Sequence, residues 1–126
     1  MIGRTFTRGA SKYRAVAVEV DGIRFDSKIE ATRWQNLRIK ERLGEIHHLQ
    51  HHVAFPLFVN TIHIGDYEAD FVYFLGPEAT SERVIEDVKG VLTPMFRWKA
   101  KHMAAQGDTV ALWPARKKKA RVKRAK

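Results

Sequence analysis

Two segments that read as β-strands carry charged side chains where a buried sheet wants apolar ones. The first runs Tyr67-Glu68-Ala69-Asp70-Phe71-Val72-Tyr73-Phe74 and the second Arg83-Val84-Ile85-Glu86-Asp87-Val88-Lys89-Gly90, with a Gly-Pro-Glu-Ala-Thr-Ser loop between them. Burying an unpaired carboxylate or ammonium is costly, so a fold that uses these strands must expose the charges, pair them or give them a cation to hold. Side chains alternate along a strand, so Ile85, Asp87 and Lys89 share one face while Val84, Glu86 and Val88 share the other. A lysine that reaches the water or phosphate held by a metal must lie two residues from the ligating carboxylate, which selects Asp87 and sets Glu86 aside. The same alternation puts Glu68 on the side of Asp70, in position to assist it. The alternative is a hairpin with exposed polar faces, on which Asp87 and Lys89 form a weak surface ion pair.

At 126 residues the chain fits one domain, and with no cysteine it has neither a disulfide framework nor a thiol nucleophile. Its start, Met-Ile-Gly-Arg-Thr-Phe-Thr-Arg, lacks the apolar run of a signal peptide, and no stretch approaches the length of a membrane span, so an intracellular, cytoplasmic protein is expected. The formal charge of +9 is unevenly spread. Setting aside the eight cations of residues 115–126 and the four of residues 1–14 leaves −3 for residues 15–114. The expected organisation is a flexible basic segment over 1–14, a folded domain over 15–114 and a disordered basic tail over 115–126. Basic ends bind a phosphate backbone by counterion release. Arg116, Lys117, Lys118, Lys119, Arg121, Lys123 and Arg124 in the tail, with Lys12 and Arg14 at the start, are the DNA-binding candidates. A merely solubilising tail is the other reading.

Tyr13 to Val20 and Ile23-Arg24-Phe25 flank Asp21-Gly22 and predict a small N-terminal hairpin. Ser27-Lys28-Ile29-Glu30 has the form of a capping box and opens a helix that Gly44 closes. Residues 45–60 read as a strand bent or interrupted at Pro56. Thr93-Pro94 starts a second helix, which Gly107 stops, and residues 109–113 form a last strand. The chain is therefore α/β, ordered helix, three strands, helix, strand after the hairpin. Trp34, Phe96, Trp98 and Trp113 fall at helical or strand spacing and are assigned to the core rather than to base stacking.

This order, with Glu30 on the first helix and Asp70 and Asp87-Val88-Lys89 on neighbouring strands, resembles the PD-(D/E)XK nuclease superfamily. More closely, Lys12-Tyr13, Val20-Asp21-Gly22-Ile23-Arg24-Phe25-Asp26-Ser27-Lys28, Glu30-Ala31, Leu49-Gln50, Ala69-Asp70-Phe71-Val72-Tyr73 and Glu86-Asp87-Val88-Lys89-Gly90 look like a phage family of endonuclease I-like proteins, once catalogued only as a domain of unknown function. The resemblance spans residues 12–113. Ala69 stands where the superfamily's name has proline.

The resemblance implies a restriction-endonuclease-like core, a mixed central sheet flanked by helices, and Mg²⁺-dependent hydrolysis of DNA phosphodiesters, with Mn²⁺ able to substitute. It implies that Asp70, Asp87 and the Val88 carbonyl hold the metal as hard oxygen ligands, that Glu30 completes the site, and that Lys89 orients or deprotonates the attacking water. Gln50 joins the catalytic set only because it matches a position of the family pattern. On spacing alone Glu30 is better explained as the capping-box acid, and it is the resemblance that reverses the preference. The junction-resolving relatives extend the expectation to branched or Holliday-junction DNA, to phage recombination and to a homodimer. A non-catalytic DNA-binding protein acting through its basic termini is the alternative.

The histidines of His47-His48 and His51-His52 compete for a metal, but there is neither cysteine nor a His-Glu-x-x-His motif to accompany them. On a regular strand His48 and His52 face one way and His47 and His51 the other, so the expectation is an exposed or DNA-contacting cluster.

Overall fold

The computed structural model describes residues 16–89 and 91–115. Strand β1 (Val18–Val20) turns through Asp21 and Gly22, both at positive φ, into β2 (Ile23–Phe25). Helix α1 (Lys28–Arg42) follows, then β3 (His47–Val59), β4 (Ile62–Phe74), β5 (Arg83–Val88), α2 (Pro94–Ala105) and β6 (Val110–Trp113). The order expected from sequence is thus present. The basic segment at 1–14 and the cations from Arg116 onward lie outside the described residues. No helix among the described residues is long and apolar enough to cross a membrane.

Local chemistry sets both helices. The Ser27 hydroxyl accepts the Glu30 N–H at 3.3 Å, and Glu30 Oε1 accepts the Asp26 N–H at 3.1 Å, a reciprocal cap displaced by one residue from the simplest capping box. Leu43 is the C-cap, and Gly44 beyond it takes the left-handed conformation that favours glycine. Thr93 caps α2 by accepting the Phe96 N–H at 3.1 Å, with Pro94 where its missing donor costs nothing.

The four larger strands form one mixed sheet, ordered β3-β4-β5-β6, antiparallel except for the parallel pair β5-β6. The parallel pair needs a crossover, and α2 supplies it. Ala31, Trp34 and Leu37 of α1 pack with Phe25, Phe71, Tyr73 and Val88 into one cluster. Phe96 and Met103 of α2 pack with Leu57, Tyr67, Ala69, Val72 and Ile85 into the other. Neighbouring residues of β5 divide between the clusters, so the helices cover opposite faces of the sheet.

Two expectations are corrected here. Strand β3 is not interrupted at Pro56, which pairs with Asp66 inside a hairpin closed by a two-residue turn at Asn60 and Thr61. The strand is the sheet's edge, so proline's missing N–H deprives no neighbour, and the register shifts fall instead between His47 and Gln50 and between Leu57 and Phe58. Trp98 is not a core residue, being 52% exposed on the outer side of α2.

Candidate metal centre

Strands β4 and β5 pair only from Phe71 opposite Glu86 to Phe74 opposite Arg83, and beyond this β5 continues beside β6 with Asp87 opposite Leu112 and Val88 opposite Trp113. Asp70 and Asp87 are the next residue on each strand and stand at the fork. Asp70 Oδ2 bridges the opening by accepting the Val88 N–H at 2.8 Å.

Asp87 is 1% exposed. The Tyr67 hydroxyl donates to its Oδ2, while Oδ1 is paired with the Lys89 ammonium at 3.1 Å. Lys89 also lies 4.8 Å from the centre of the Phe96 ring, so its charge is held between the carboxylate and an aromatic face. Burial, then the hydrogen bond and charge of Asp87, raise the Tyr67 pKa, which keeps that hydroxyl a donor.

Glu30, on the first turn of α1, and His52, on β3, complete the surroundings of Asp70. One donor atom from each of Glu30, His52 and Asp70 lies within 4.8 Å of the others. Burial first, then the charges of Asp87 and Glu30, push the Asp70 carboxyl up to about 8. Burial also raises Glu30, opposed by the Asp26 N–H it accepts. Crowded carboxylates desolvated in this way are relieved by a shared cation.

The sign of the Asp70 shift gives a testable pH dependence. A carboxyl whose folded pKa lies above its unfolded value contributes stability that is full below the unfolded pKa of 3.8 and is lost as pH rises through about 8. A divalent cation removes that loss by replacing the proton. The rise in melting temperature on adding Mg²⁺ or Mn²⁺ is therefore expected to be several-fold larger at about pH 8.5 than at about pH 6. Thermal melts at the two pH values measure it, and equal increments would take Asp70 out of any metal site.

Glu86 belongs to a different structure. It accepts from Arg33 Nε at 2.7 Å and Arg33 Nη2 at 2.9 Å, and from the Tyr73 hydroxyl at 2.7 Å, all buried on the α1 side. Burial lowers the Arg33 pKa, but the bonds and charge of Glu86 outweigh it and the net shift is upward. Burial and Glu86 together push Tyr73 up to about 12. Glu86 is thus fully committed to holding α1 on the sheet.

The other expected residues fall as follows. Gln50 is exposed on β3 opposite Val72, and the Val88 carbonyl lies at the fork through its residue's place in β5. Glu68 is exposed and does not share Asp70's surroundings. The reason lies in the strand: Tyr67 and Ala69 join the α2 cluster, yet Phe71 and Tyr73 join the α1 cluster, so alternation is lost at Asp70.

Alternation is lost at the histidines too, which corrects the expectation that His51 and His52 face apart. His48 and His52 adopt φ of 58° and 53°, and the rings of His51 and His52 lie 5.1 Å apart with their Nδ1 atoms 3.3 Å apart. His51 packs against Trp34 and Phe25 on the α1 side, and burial followed by the charge of His52 lowers its pKa. His48 instead reaches the Pro77 carbonyl at 3.1 Å. Sequence reasoning missed His52 and Tyr67. Tyr67 had a signal, since a tyrosine in an apolar strand needs a partner for its hydroxyl; His52 had none beyond its identity.

No curated protein and no solved structure matches the chain. Residues 10–122 match a family model described as "Protein of unknown function (DUF1064)", so the chain belongs to that family.

Proposed function

We propose that the protein is a metal-dependent DNA endonuclease of the PD-(D/E)XK kind, with a restriction-endonuclease-like core. The observation that carries this reading is the carboxylate pair at the fork: Asp87, 1% exposed, has one oxygen held by the Tyr67 hydroxyl and the other 3.1 Å from the Lys89 ammonium, and it stands next to the half-buried Asp70. Taking two neighbouring carboxylates out of water with a single ammonium between them is costly in a purely structural role. The donor set of Asp70, Asp87, Glu30 and the Val88 carbonyl is made of hard oxygens and fits Mg²⁺ or Mn²⁺.

When bound there, such a cation supplies Lewis-acid stabilisation of the phosphate oxygens. The chain's own residues do the rest. Asp87 holds the Lys89 ammonium at 3.1 Å, where Lys89 can orient an attacking water and neutralise charge developing on the phosphate. Tyr67 fixes the Asp87 carboxylate by donating to one oxygen, which leaves the other facing the lysine. The basic termini supply affinity for the backbone, and branched or junction DNA, a homodimer and a role in phage recombination remain part of the same proposal.

Supercoiled plasmid and a synthetic four-way junction, each incubated with the full chain in Mg²⁺, Mn²⁺ or EDTA, test it. Cleavage is expected with either cation and none with EDTA, and Lys89→Ala is expected to lose about 100-fold or more in rate while still binding DNA. Binding without cleavage of any DNA form would instead support a non-catalytic DNA-binding protein using its basic termini.

A further inference from the structure

His52 occupies the middle of a 13-residue edge strand in a conformation that L residues rarely adopt, with φ of 53°. His51 pairs with Phe71 and Val53 with Ala69, so the register places His52 opposite Asp70. A regular strand would send its side chain to the face opposite His51. The left-handed backbone instead brings the two rings together, and a donor nitrogen of His52 lies within 4.8 Å of Glu30 and Asp70 oxygens. Backbone strain of this kind persists where the surrounding structure fixes it and is concentrated at functional sites.

His52 is half-buried, contacts the Phe25 ring at 5.8 Å and meets His51 through one nitrogen, Nδ1 to Nδ1 at 3.3 Å. With His52 Nδ1 as the donor of that bond, its Nε2 keeps the lone pair a cation takes, as in metal-bound histidines oriented by a neighbour. Asp87, 1% exposed and 3.1 Å from the Lys89 ammonium, adds a further carboxylate charge beside Asp70.

We infer that His52 is a metal ligand alongside Glu30 and Asp70, and that the centre consequently prefers transition-metal cations to Mg²⁺. This rests on reading the fork as a divalent-metal site, and goes beyond the all-oxygen donor set of that reading. Imidazole nitrogen adds little for magnesium, which favours oxygen and holds its waters, whereas Co²⁺ and its neighbours gain strongly from a nitrogen donor.

The test is calorimetric titration of the full chain with Mg²⁺, Mn²⁺ and Co²⁺, alongside the visible absorption of bound Co²⁺. The variants are His52→Asn, His52→Ala and, as a control from the same strand and the same backbone conformation, His48→Asn. Asparagine tolerates positive φ, so His52→Asn removes the ligand without demanding a new backbone, and circular dichroism verifies the fold. The wild-type chain is expected to bind Co²⁺ at least about tenfold tighter than Mg²⁺, and His52→Asn to lose at least about tenfold in Co²⁺ affinity with Mg²⁺ nearly unchanged. The Co²⁺ spectrum should change in His52→Asn and not in His48→Asn. If His52→Asn binds Co²⁺ as the wild type does, or if His48→Asn weakens it equally, His52 is not a ligand, while metal-dependent cleavage can still stand. If the wild-type chain binds none of the three cations at millimolar concentration, the metal site itself is wrong and this inference falls with it.

Discussion

Asp87→Asn is expected to lower metal-dependent DNA cleavage by about 1000-fold while leaving the protein folded and at least as heat-stable as the wild type. The two halves of that result have separate causes. Asparagine has the shape of aspartate and keeps an oxygen to accept from Tyr67, so packing at a site 1% exposed is preserved. It removes a charge that raises the Asp70 carboxyl's pKa, and so relieves repulsion in the metal-free protein. It also removes the anionic oxygen beside Lys89, which the proposed chemistry requires. Single-turnover cleavage in Mn²⁺ and a thermal melt read both halves. Activity within about tenfold of wild type would remove Asp87 from the site.

One residue earlier, the expectation reverses. Glu86→Ala should cost about 3–5 kcal/mol of stability, because it leaves Arg33, 9% exposed, without the carboxylate that takes both its Nε and Nη2 bonds. The Tyr73 hydroxyl loses its acceptor in the same substitution. Whatever fraction stays folded should cleave DNA at a rate close to wild type, since Glu86 faces the α1 cluster and not the fork. Replacing Arg33 and Glu86 together by leucine or methionine should recover most of the loss, as buried ion pairs exchanged for apolar side chains often do. Urea unfolding measures these differences, and a loss below about 1 kcal/mol for Glu86→Ala would show that the pair does not hold α1 to the sheet.

These adjacent acids also show what could be read from the sequence. Strand β5 is regular and central, so alternation separated Glu86 from Asp87, and the structure gives them different partners on different faces. Both helix starts were legible because their caps are local, written within four residues at Ser27 to Glu30 and Thr93 to Phe96. The long β3-β4 hairpin was harder to read. Pro56 looks like a breaker, yet an edge strand tolerates the proline, and a two-residue turn at Asn60 carries the chain into β4.

Alternation failed at Asp70 and His52, which face each other across β3 and β4. There the side-chain direction is set by a left-handed residue and by the parting of β5 from β4, neither of which a period of two encodes. Glu68 was therefore placed with Asp70 from the sequence and His52 was not, and the structure reverses both. A left-handed residue facing a cluster of charged side chains is a local departure of the kind a functional site adds to an otherwise consistent fold.

The most direct test of the account is the anomalous scattering of Mn²⁺ in crystals of the full chain. One strong peak is expected at the fork of β4 and β5, within coordination distance of the Asp70 and Asp87 carboxylates and lost in Asp87→Asn. A peak elsewhere, or none at the fork in a protein that nevertheless cleaves DNA with Mn²⁺, would contradict it.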